Sequence, residues 1–367
     1  MAALYDLKTG YPGMELVPRA RLGEITAQVL GSGRGWQYGG DLRGILAIRE
    51  QIARFLTETS TISVTPDDLM MTGGAIAATD LICRAVTRPG DVVVVEDPTF
   101  YFIVNVLRMS HVEVIGVPLC AEGIDLDALG ALVERYGERL KLVYAIPSFQ
   151  NPTGITATNR AALAEMARRH DFYVLEDSTY QLLYYGAPPP PYLKTYDDSG
   201  HVITVGTMSK LVMPSLRLGW VWAQPEQIEA LKEFKDDAGS ALVAEIIGDY
   251  IRSGEFMGQV EHARRLYAAK HDRVVAALDR YAPDWLDWSA PGGGFFIWAT
   301  MPEPLTASQL LPLAREREVS FFAGRDCYAS PPHDRDLRLC FAKTEESLLD
   351  EAVARLCDAL SAAMKAI

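Results

Sequence analysis

Seven short apolar runs, rich in Val and Ile, are the feature that most constrains the fold of this 367-residue chain. The runs occupy residues 69–71, 92–95, 112–117, 142–146, 172–175, 202–205 and 218–222, and helical patterns such as 77–87 and 159–170 lie between several of them. Buried strands that alternate with helices predict βαβ units and a largely parallel sheet covered on both faces. Ligands bind such sheets beyond the carboxyl ends of the strands. Because polar and glycine-rich motifs follow the runs, we expect a ligand site at that edge.

The segments before and after these runs have other patterns. Residues up to about 35 are rich in Gly and Pro around 10–13 and predict an extended arm. Apolar residues recur at helical spacing over 42–55, and residues 228–278 are mostly helical in pattern. A smaller α+β unit follows, with strand-like runs at 294–299, 320–322 and 337–341 and a closing helix from 345 to about 364.

Composition narrows the partners that we expect for this chain. The 35 Lys and Arg residues against 48 Asp and Glu give a net charge of −13 without a basic cluster, which argues against nucleic acid and anionic membranes. There is no signal segment and no apolar run of spanning length, so we expect a cytoplasmic protein. The five cysteines are scattered and the six histidines lack ligand spacing, so we expect neither a disulfide framework nor a metal site.

One lysine, Lys210, stands between the last two apolar runs, in the stretch 202–222. The hydroxyls of Thr207 and Ser209 come just before it, and Arg217 comes seven residues after it. A lysine in or near a core is costly unless it is paired or used chemically. A primary amine can form a Schiff base with an aldehyde cofactor, and hydroxyls with a planar cation suit a phosphate. The alternative is an ordinary strand–loop–strand with a solvated Lys and Arg.

The residues around Lys210 resemble the cofactor-lysine signature of the class I/II aminotransferases, the fold-type-I enzymes that use pyridoxal 5′-phosphate (PLP). The matching residues are Thr207, Ser209, Lys210, Pro214 and the run Leu216-Arg217-Leu218-Gly219-Trp220. The resemblance extends over nearly the whole chain. It implies an α/β fold in which residues 36–275 form a large PLP-binding domain, with a mostly parallel seven-stranded sheet between helices. Residues 1–35 and 276–367 then form a smaller α+β domain.

A glycine turn after the first apolar run matches the family's phosphate loop. The run Thr72-Gly73-Gly74-Ala75-Ile76 opens a helix, where glycines let backbone amides approach an anion and the helix start favours negative charge. A plain tight turn is the alternative for so short a motif. The resemblance implies that the phosphate is bound by Gly74, Ala75, Ile76, Thr207, Ser209 and Arg217.

Two further turns match ring-binding motifs of the family. Asn151 precedes a proline in the run Asn-Pro-Thr-Gly, so its backbone is held extended at a turn beyond a strand. The resemblance makes its amide the contact to the ring oxygen O3′. Phe100 follows a proline turn and matches the aromatic side chain that lies over the ring. A simple Pro-Gly turn, a core phenylalanine, and Tyr101 as the stacking residue are the alternatives.

A carboxylate ends the fifth apolar run. Asp177 lies 26 residues after Asn151 and 33 before Lys210, a spacing that matches the family residue paired with the protonated pyridine nitrogen. Such a pair keeps the ring an electron sink. Glu176 is the rival carboxylate, although alternation along a strand would point it to the opposite face. Tyr180 matches a second hydrogen-bond partner of O3′.

The substrate end of the site is also implied by the resemblance. Arg338, in an apolar strand, matches the fork for the substrate α-carboxylate, where Asn151 and the backbone of Gly10 also contact the substrate. A structural ion pair is the alternative for Arg338. Tyr38 matches a tyrosine that reaches the phosphate of a neighbouring subunit, which implies a homodimer with active sites at the interface. A core or surface tyrosine is the alternative.

Together these matches imply a PLP-dependent aminotransferase with Lys210, Asp177 and Tyr180 as its catalytic residues. Lys210 would hold the cofactor as a Schiff base and then act as general base on Cα–H. The expected reaction is ping-pong transfer of the α-amino group from an L-amino acid to a 2-oxo acid. Elimination, cyclisation, racemisation or oxidation with the same cofactor is the alternative. A non-enzymatic sensor is disfavoured because no basic DNA-binding segment precedes the domain.

Overall fold

The computed structural model describes residues 5–36 and 40–366. Its helices are α1 (Arg19–Gly31), α2 (Leu46–Thr59), α3 (Ala75–Val86), α4 (Tyr101–Arg108), α5 (Leu126–Tyr136), α6 (Arg160–His170), α7 (Pro225–Leu231), α8 (Ala241–Arg252), α9 (Phe256–Tyr281), α10 (Ala307–Glu316) and α11 (Leu349–Lys365). Its strands are β1 (Tyr5–Leu7), β2 (Leu69–Thr72), β3 (Val92–Asp97), β4 (Glu113–Cys120), β5 (Gly123–Ile124), β6 (Leu140–Ala145), β7 (Tyr173–Asp177), β8 (Val202–Thr207), β9 (Gly219–Trp222), β10 (Asp287–Trp288), β11 (Phe296–Thr300), β12 (Val319–Ala323) and β13 (Asp336–Cys340). No helix in the described part of the chain combines the length and apolar character needed to cross a bilayer.

The seven predicted apolar runs are all strands of one sheet. The sheet has the order β2-β9-β8-β7-β6-β3-β4-β5, in which β4, β3, β6, β7 and β8 are parallel and β9 is antiparallel to both of its neighbours. The eighth strand, β5, has only two residues and pairs with the end of β4. The α/β fold with a mostly parallel sheet is therefore confirmed.

The two faces of this sheet carry different side chains, because neighbouring residues in a strand point to opposite sides. Val93, Val95 and Tyr144 belong to the larger apolar core, whereas Val94 and Ala145 belong to a second core beneath the sheet. We call the side of Tyr144 the front face and the side of Ala145 the back face. The helices cover both faces, as a parallel sheet requires.

A second sheet joins the two ends of the chain. Its order is β1-β12-β13-β11-β10, with β1 parallel to β12 and the remaining pairs antiparallel. The three strand-like runs predicted after residue 290 are β11, β12 and β13. The proposed division into residues 36–275 and two flanking segments agrees with this sheet but stays a prediction.

The expectation of an extended arm up to residue 35 is wrong for residues 19–31, which form α1. The helix buries Leu22, Ile25 and Val29, which recur at helical spacing, and it packs against α8. The Gly- and Pro-rich run at residues 10–13 that suggested an arm lies before the helix, and Gly23 is accommodated within it. Residues 5–16, which we call the amino-terminal segment, contain only β1 and one short turn of 3₁₀ helix.

Candidate active site

A cavity of about 350 Å³ opens at the carboxyl ends of β6, β7 and β8. Most of the predicted site residues line it: Gly10, Ala75, Ile76, Phe100, Asn151, Asp177, Tyr180, Thr207, Ser209, Lys210, Arg217 and Arg338. Gly74 lies beside this lining, against Arg217. Tyr38 lies outside the described residues, so its role stays a prediction.

Lys210 lies in the turn after β8 with its amine inside the cavity. Its Nζ donates to the carbonyl oxygen of Gly10 at 2.9 Å, so the turn and the amino-terminal segment meet at this amine. Burial lowers the pKa of Lys210 from 10.5 to about 8. A larger fraction of the amine is therefore neutral near pH 7 than for a solvated lysine, as a nucleophile requires.

Asp177 ends β7 on the front face and lines the cavity. Its Oδ2 accepts from the Tyr144 hydroxyl at 2.7 Å, and its Oδ1 accepts from the Thr179 amide at 3.0 Å. Glu176 lies on the back face, where it accepts from the backbone amides of Leu193 and Lys194 at 2.6 and 3.1 Å. The geometry therefore favours Asp177 over Glu176 as the carboxylate that could meet a pyridine nitrogen.

The start of α3 and the guanidinium of Arg217 form one anion cradle. Gly74 has a φ of +100°, and a Cβ at this position would lie 2.9 Å from Nη2 of Arg217, so only glycine permits the close approach. The amides of Ala75 and Ile76 begin α3 and have no carbonyl of their own helix to bind. Ser209 accepts a hydrogen bond from the Thr207 hydroxyl at 2.9 Å on the neighbouring side of the cavity. These donors suit a phosphate.

Arg338 reaches the cavity from β13 and is 3% exposed. Its Nη1 donates to Oδ1 of Asn151 at 3.1 Å, and its Nη2 donates to the carbonyl of Lys8 at 3.1 Å. Its Cζ lies 4.4 and 4.5 Å from the ring centroids of Phe296 and Phe322. No acidic side chain among residues 5–36 and 40–366 forms a salt bridge with Arg338, so a structural ion pair does not account for its burial. A carboxylate ligand would supply the missing charge.

The aromatic residues divide between the two ends of the cavity. The ring of Tyr101 lies 4.6 Å from that of Phe322 and 5.8 Å from Cζ of Arg338, which places it at the Arg338 end. Phe100 also lines the cavity, so its predicted stacking role stays open to test. Tyr180 packs edge-on against Phe296, and burial raises the pKa of its phenol well above the ordinary value. Its hydroxyl therefore stays protonated and can donate.

Several residues at the Arg338 end were not predicted from the sequence. Lys8, Thr9 and Tyr11 flank Gly10, and Phe296 and Phe322 come from β11 and β12. Phe322 pairs directly with Arg338 in the sheet register. A period-2 pattern in β12 could have placed Phe322 on one face of the strand, but the pairing of β12 with β13 has no local sequence signal.

No group of three or more His, Cys, Asp or Glu side chains in the described ranges is placed to hold a metal ion.

Comparison with known proteins agrees with the site geometry. The family model for aminotransferase class I and II matches residues 4–356. The aromatic-amino-acid aminotransferase 1 of Thermococcus litoralis is 32% identical over 370 residues, which cover 98% of this chain and 88% of that protein. The 2-aminoadipate transaminase of Thermus thermophilus is 32% identical over 362 residues, covering 96% and 88%. The crystal structure of Pyrococcus horikoshii kynurenine aminotransferase in complex with PMP has a TM-score of 0.92 at 29% identity, covering 99% and 92%.

Proposed function

This chain belongs to the class I and II aminotransferases and is a PLP-dependent aminotransferase, and from this premise we propose that Lys210 is the residue that binds the cofactor covalently. The overall reaction is transfer of an α-amino group from an L-amino acid to a 2-oxo acid. The observation that carries the assignment of Lys210 is its buried amine in the cavity, with a pKa lowered to about 8. Because the donor product leaves before the acceptor binds, the kinetics are ping-pong.

The residues around the cavity fit the cofactor. Asp177 would pair with its ring nitrogen, Asn151 and Tyr180 would contact its ring oxygen, and Phe100 would cover one ring face. The anion cradle would hold its phosphate through Gly74, Ala75, Ile76, Thr207, Ser209 and Arg217. When bound, the cofactor supplies an electron sink that stabilises negative charge at the substrate Cα.

Lys210 moves the proton in this proposal. Its neutral amine takes the proton from the Cα atom of the amino donor, for which a pKa near 8 is better matched to neutral pH than the ordinary value of 10.5. The hydrogen bond from Nζ to the Gly10 carbonyl orients the amine within the cavity. Asp177, buried beneath the cavity, would face the ring nitrogen of the cofactor.

Arg338 orients the substrate by its α-carboxylate. Its two terminal nitrogens now bind a side-chain oxygen and a backbone carbonyl, and a carboxylate can accept from both in the same plane. The rings of Phe296 and Phe322 exclude water around the guanidinium, which strengthens the interaction. Correct placement of the α-carboxylate fixes the Cα–H bond relative to Lys210.

The rings beyond Arg338 support amino donors with large apolar or aromatic side chains. Tyr11, Tyr101 and Phe322 line the open end of the cavity, where the donor side chain would lie. Aromatic side chains pack favourably edge-to-face against such rings. The aromatic-amino-acid and kynurenine aminotransferases among the similar proteins agree with this preference.

A single-half-reaction experiment tests the reaction type. The protein loaded with PLP is mixed with one amino donor and no acceptor, and the absorbance of the cofactor is followed. Conversion of the cofactor to its aminated form with release of a 2-oxo acid supports transamination. Return of the unchanged cofactor with accumulation of ammonia or a rearranged product would replace it with another PLP reaction. A panel of donors against 2-oxoglutarate and pyruvate then defines the substrates.

A homodimer with shared active sites is part of the proposal. Trp36 and Leu46 are large apolar side chains that are 74% and 53% exposed. A second opening is lined by Ile45, Arg217 and Val243 among others, and it shares Arg217 with the cavity. A second copy would bury these residues and bring Tyr38 of one copy to the cavity of the other.

Mixing two inactive variants tests this arrangement. A Lys210→Ala subunit keeps Tyr38, and a Tyr38→Phe subunit keeps Lys210, so a mixed dimer has one complete site only if Tyr38 acts across the interface. We expect activity to recover on mixing and light scattering to give twice the mass of the chain. A monomeric mass would contradict the proposal.

A cytoplasmic location completes the proposal. The five cysteines are all free thiols, which suits a reducing compartment. Cell fractionation with an antibody against the chain tests this location.

A further inference from the structure

Two fully buried carboxyl side chains lie on the back face of the large sheet, outside the cavity. Glu96 is on β3 and Glu176 is on β7, with Ala145 of β6 between them in the register. They are 2% and 0% exposed. The roles assigned above use neither of them. Because an unpaired carboxylate is costly in a core, the hydrogen bonds of each side chain indicate what it does there.

Glu96 binds the turn that carries Asn151. Its Oε1 accepts from the amide of Ile146 at 3.0 Å, and its Oε2 accepts from Nε2 of Gln150 at 2.9 Å. Ile146 and Gln150 lie between the end of β6 and Asn151. Both carboxyl oxygens of Glu96 therefore accept hydrogen bonds from this one turn.

Both polar side-chain atoms of Gln150, Nε2 and Oε1, form hydrogen bonds. Besides Glu96, its Nε2 donates to the Pro98 carbonyl at 2.8 Å, before Phe100. Its Oε1 accepts from the amide and the hydroxyl of Thr153 at 2.9 and 2.8 Å. The side chain is 1% exposed, so each lost bond would leave a buried group unpaired.

Asn151, the next residue, reaches the opposite face and the cavity. Its Oδ1 accepts from Arg338, which leaves the Nδ2 group to donate toward a bound ligand. Two links, through Gln150 and the backbone, thus separate Glu96 from the amide that contacts Arg338. A turn held in this way is pre-organised before substrate binds.

We infer that Glu96 is a positioning residue, which through Gln150 fixes the turn that presents Asn151 to Arg338 and to the bound cofactor. The inference rests on the proposed function, because the contact between Asn151 and the cofactor belongs to it. Glu96 itself touches neither cofactor nor substrate. It acts by limiting where the amide of Asn151 can point.

The charge of Glu96 agrees with this role. The pKa of Glu96 is raised from 4.5 to about 7, mainly by burial and to a smaller extent by the charge of Asp177, while the hydrogen bonds from Gln150 and Ile146 oppose this rise. Two titratable groups on the front face, Tyr144 of β6 and Asp177 of β7, interact with it through their charge, and on the back face Arg160 shares a cavity of about 10 Å³ with it. The two hydrogen bonds that the turn donates therefore favour the ionised form of Glu96, which burial disfavours.

Replacement of Glu96 by Gln is a sharp test, because both oxygens of Glu96 accept from N–H groups. An amide at this position must direct its NH₂ group at the amide of either Ile146 or Gln150, so one bond becomes a contact between two donors. Glu176→Gln is the matched control: it also makes a buried carboxyl an amide on the back face, but its partners are Leu193, Lys194 and Thr204, outside the Asn151 turn.

We expect Glu96→Gln to change both the bound cofactor and the binding of the amino donor. The ring oxygen of the bound cofactor loses a well-placed donor and becomes more basic, so the pH of its visible absorbance transition rises by about one unit. The KM for the amino donor rises and kcat falls, roughly 10- to 100-fold in kcat/KM. In the cofactor-free protein, amide hydrogen exchange at residues 150–155 is faster. Glu176→Gln changes none of these three readouts, although it lowers the melting temperature.

A double variant provides the rescue. In Glu96→Gln with Gln150→Glu, an amide again faces a carboxylate and Thr153 keeps its acceptor, but the Pro98 carbonyl loses its donor, so the absorbance transition should return only part of the way to the wild-type pH. If Glu96→Gln does not fold, Gln150→Met removes the same link at similar volume and should show the same shift.

The wild-type half-reaction is measured first, since its absence would overturn the proposed function rather than the role of Glu96. An unchanged absorbance transition in Glu96→Gln or Gln150→Met, or an equal shift in Glu176→Gln, overturns the inference.

Discussion

The two sides of the cavity are built from different parts of the chain. One side, which we call the floor, consists of Asn151, Asp177 and Lys210, which lie at or just after the ends of β6, β7 and β8, three adjacent parallel strands. The other side, which we call the wall, consists of Lys8, Gly10, Phe322 and Arg338, which the second sheet brings together from both ends of the chain. The floor thus depends on strands that follow one another in the chain, whereas the wall depends on contacts between residues more than 300 positions apart. We expect floor variants to lose chemistry and wall variants to lose substrate binding.

Removal of the amine from the floor should have the largest effect. In Lys210→Ala we expect turnover to fall by about 10⁴-fold or more, because covalent attachment and proton transfer are lost together. Steady-state rates and reduction of the bound cofactor with borohydride measure both losses. Lys235→Ala is a matched control, since burial also lowers the pKa of Lys235 to about 8 but its amine binds the Leu42 carbonyl outside the cavity. Retained turnover in Lys210→Ala would refute the assignment.

Neutralising the floor carboxylate should have the next largest effect. Asp177→Asn keeps the shape of the side chain but removes the charge that faces the ring nitrogen, so we expect the half-reaction to slow by roughly 10²- to 10³-fold. Stopped-flow absorbance measures the rate, and the KM for the donor should change little. Glu176→Gln on the opposite face is the control. A change in KM alone would instead indicate that Asp177 contributes to substrate binding, as the wall residues do.

Arg338→Met tests the wall. The loss of a charged hydrogen-bond donor to the α-carboxylate should raise the KM of the amino donor by about 10- to 100-fold. Methionine keeps much of the apolar contact with Phe296 and Phe322, so cofactor affinity and absorbance should be retained. A loss of cofactor without a change in KM would contradict the division between floor and wall.

The pH dependence of cofactor attachment tests the contact between floor and wall. Only the neutral amine of Lys210 is nucleophilic, and its pKa is lowered from 10.5 to about 8. The rate of attachment to cofactor-free protein should therefore increase about tenfold per pH unit below 8 and level off above it. Stopped-flow absorbance at fixed cofactor concentration measures this profile. A rate that still rises above pH 9.5 would mean that the amine is solvated.

Lys8 should give the smallest effect. Its Nζ lies 5.9 Å from the ring centroid of Phe322, and Cζ of Arg338 lies 4.5 Å from the same centroid, so the two charges are within about 10 Å. This spacing suits a dicarboxylic 2-oxo acid. Lys8→Ala should lower kcat/KM for 2-oxoglutarate relative to pyruvate by about 2- to 5-fold, an effect typical of an exposed charge. Lys8→Arg should keep the ratio, and added salt should reduce it in the wild type.

The floor could be predicted from the sequence because its signals are local. Each of Asn151, Asp177 and Lys210 follows a Val- or Ile-rich strand, and the carboxyl ends of parallel strands share one edge. The alternation of side chains also separated Asp177 from Glu176 correctly. The alternation of side chains along each strand therefore predicts which face of the sheet its last residue occupies.

The wall could not be predicted in the same detail because its contacts are distant in sequence. The position of Lys8 depends on pairing of β1 with β12, and Phe322 depends on the register of β12 against Arg338. The Gly and Pro residues near Gly10 suggested an arm, and they concealed the helical spacing of Leu22 and Ile25 in α1. Two matches, at Arg338 and Gly10, pointed to this end of the site.

The pairing of β1 with β12 has a consequence for synthesis of the protein on the ribosome. Tyr5–Leu7 is translated before its partner strand, Val319–Ala323, which follows more than 300 residues later. The parallel strands can form in the meantime, since their neighbours are close in sequence. While the residues between them are translated, β1 therefore lacks its partner strand, and the hydrogen bond from Arg338 to the Lys8 carbonyl forms only after β13 has also been synthesised.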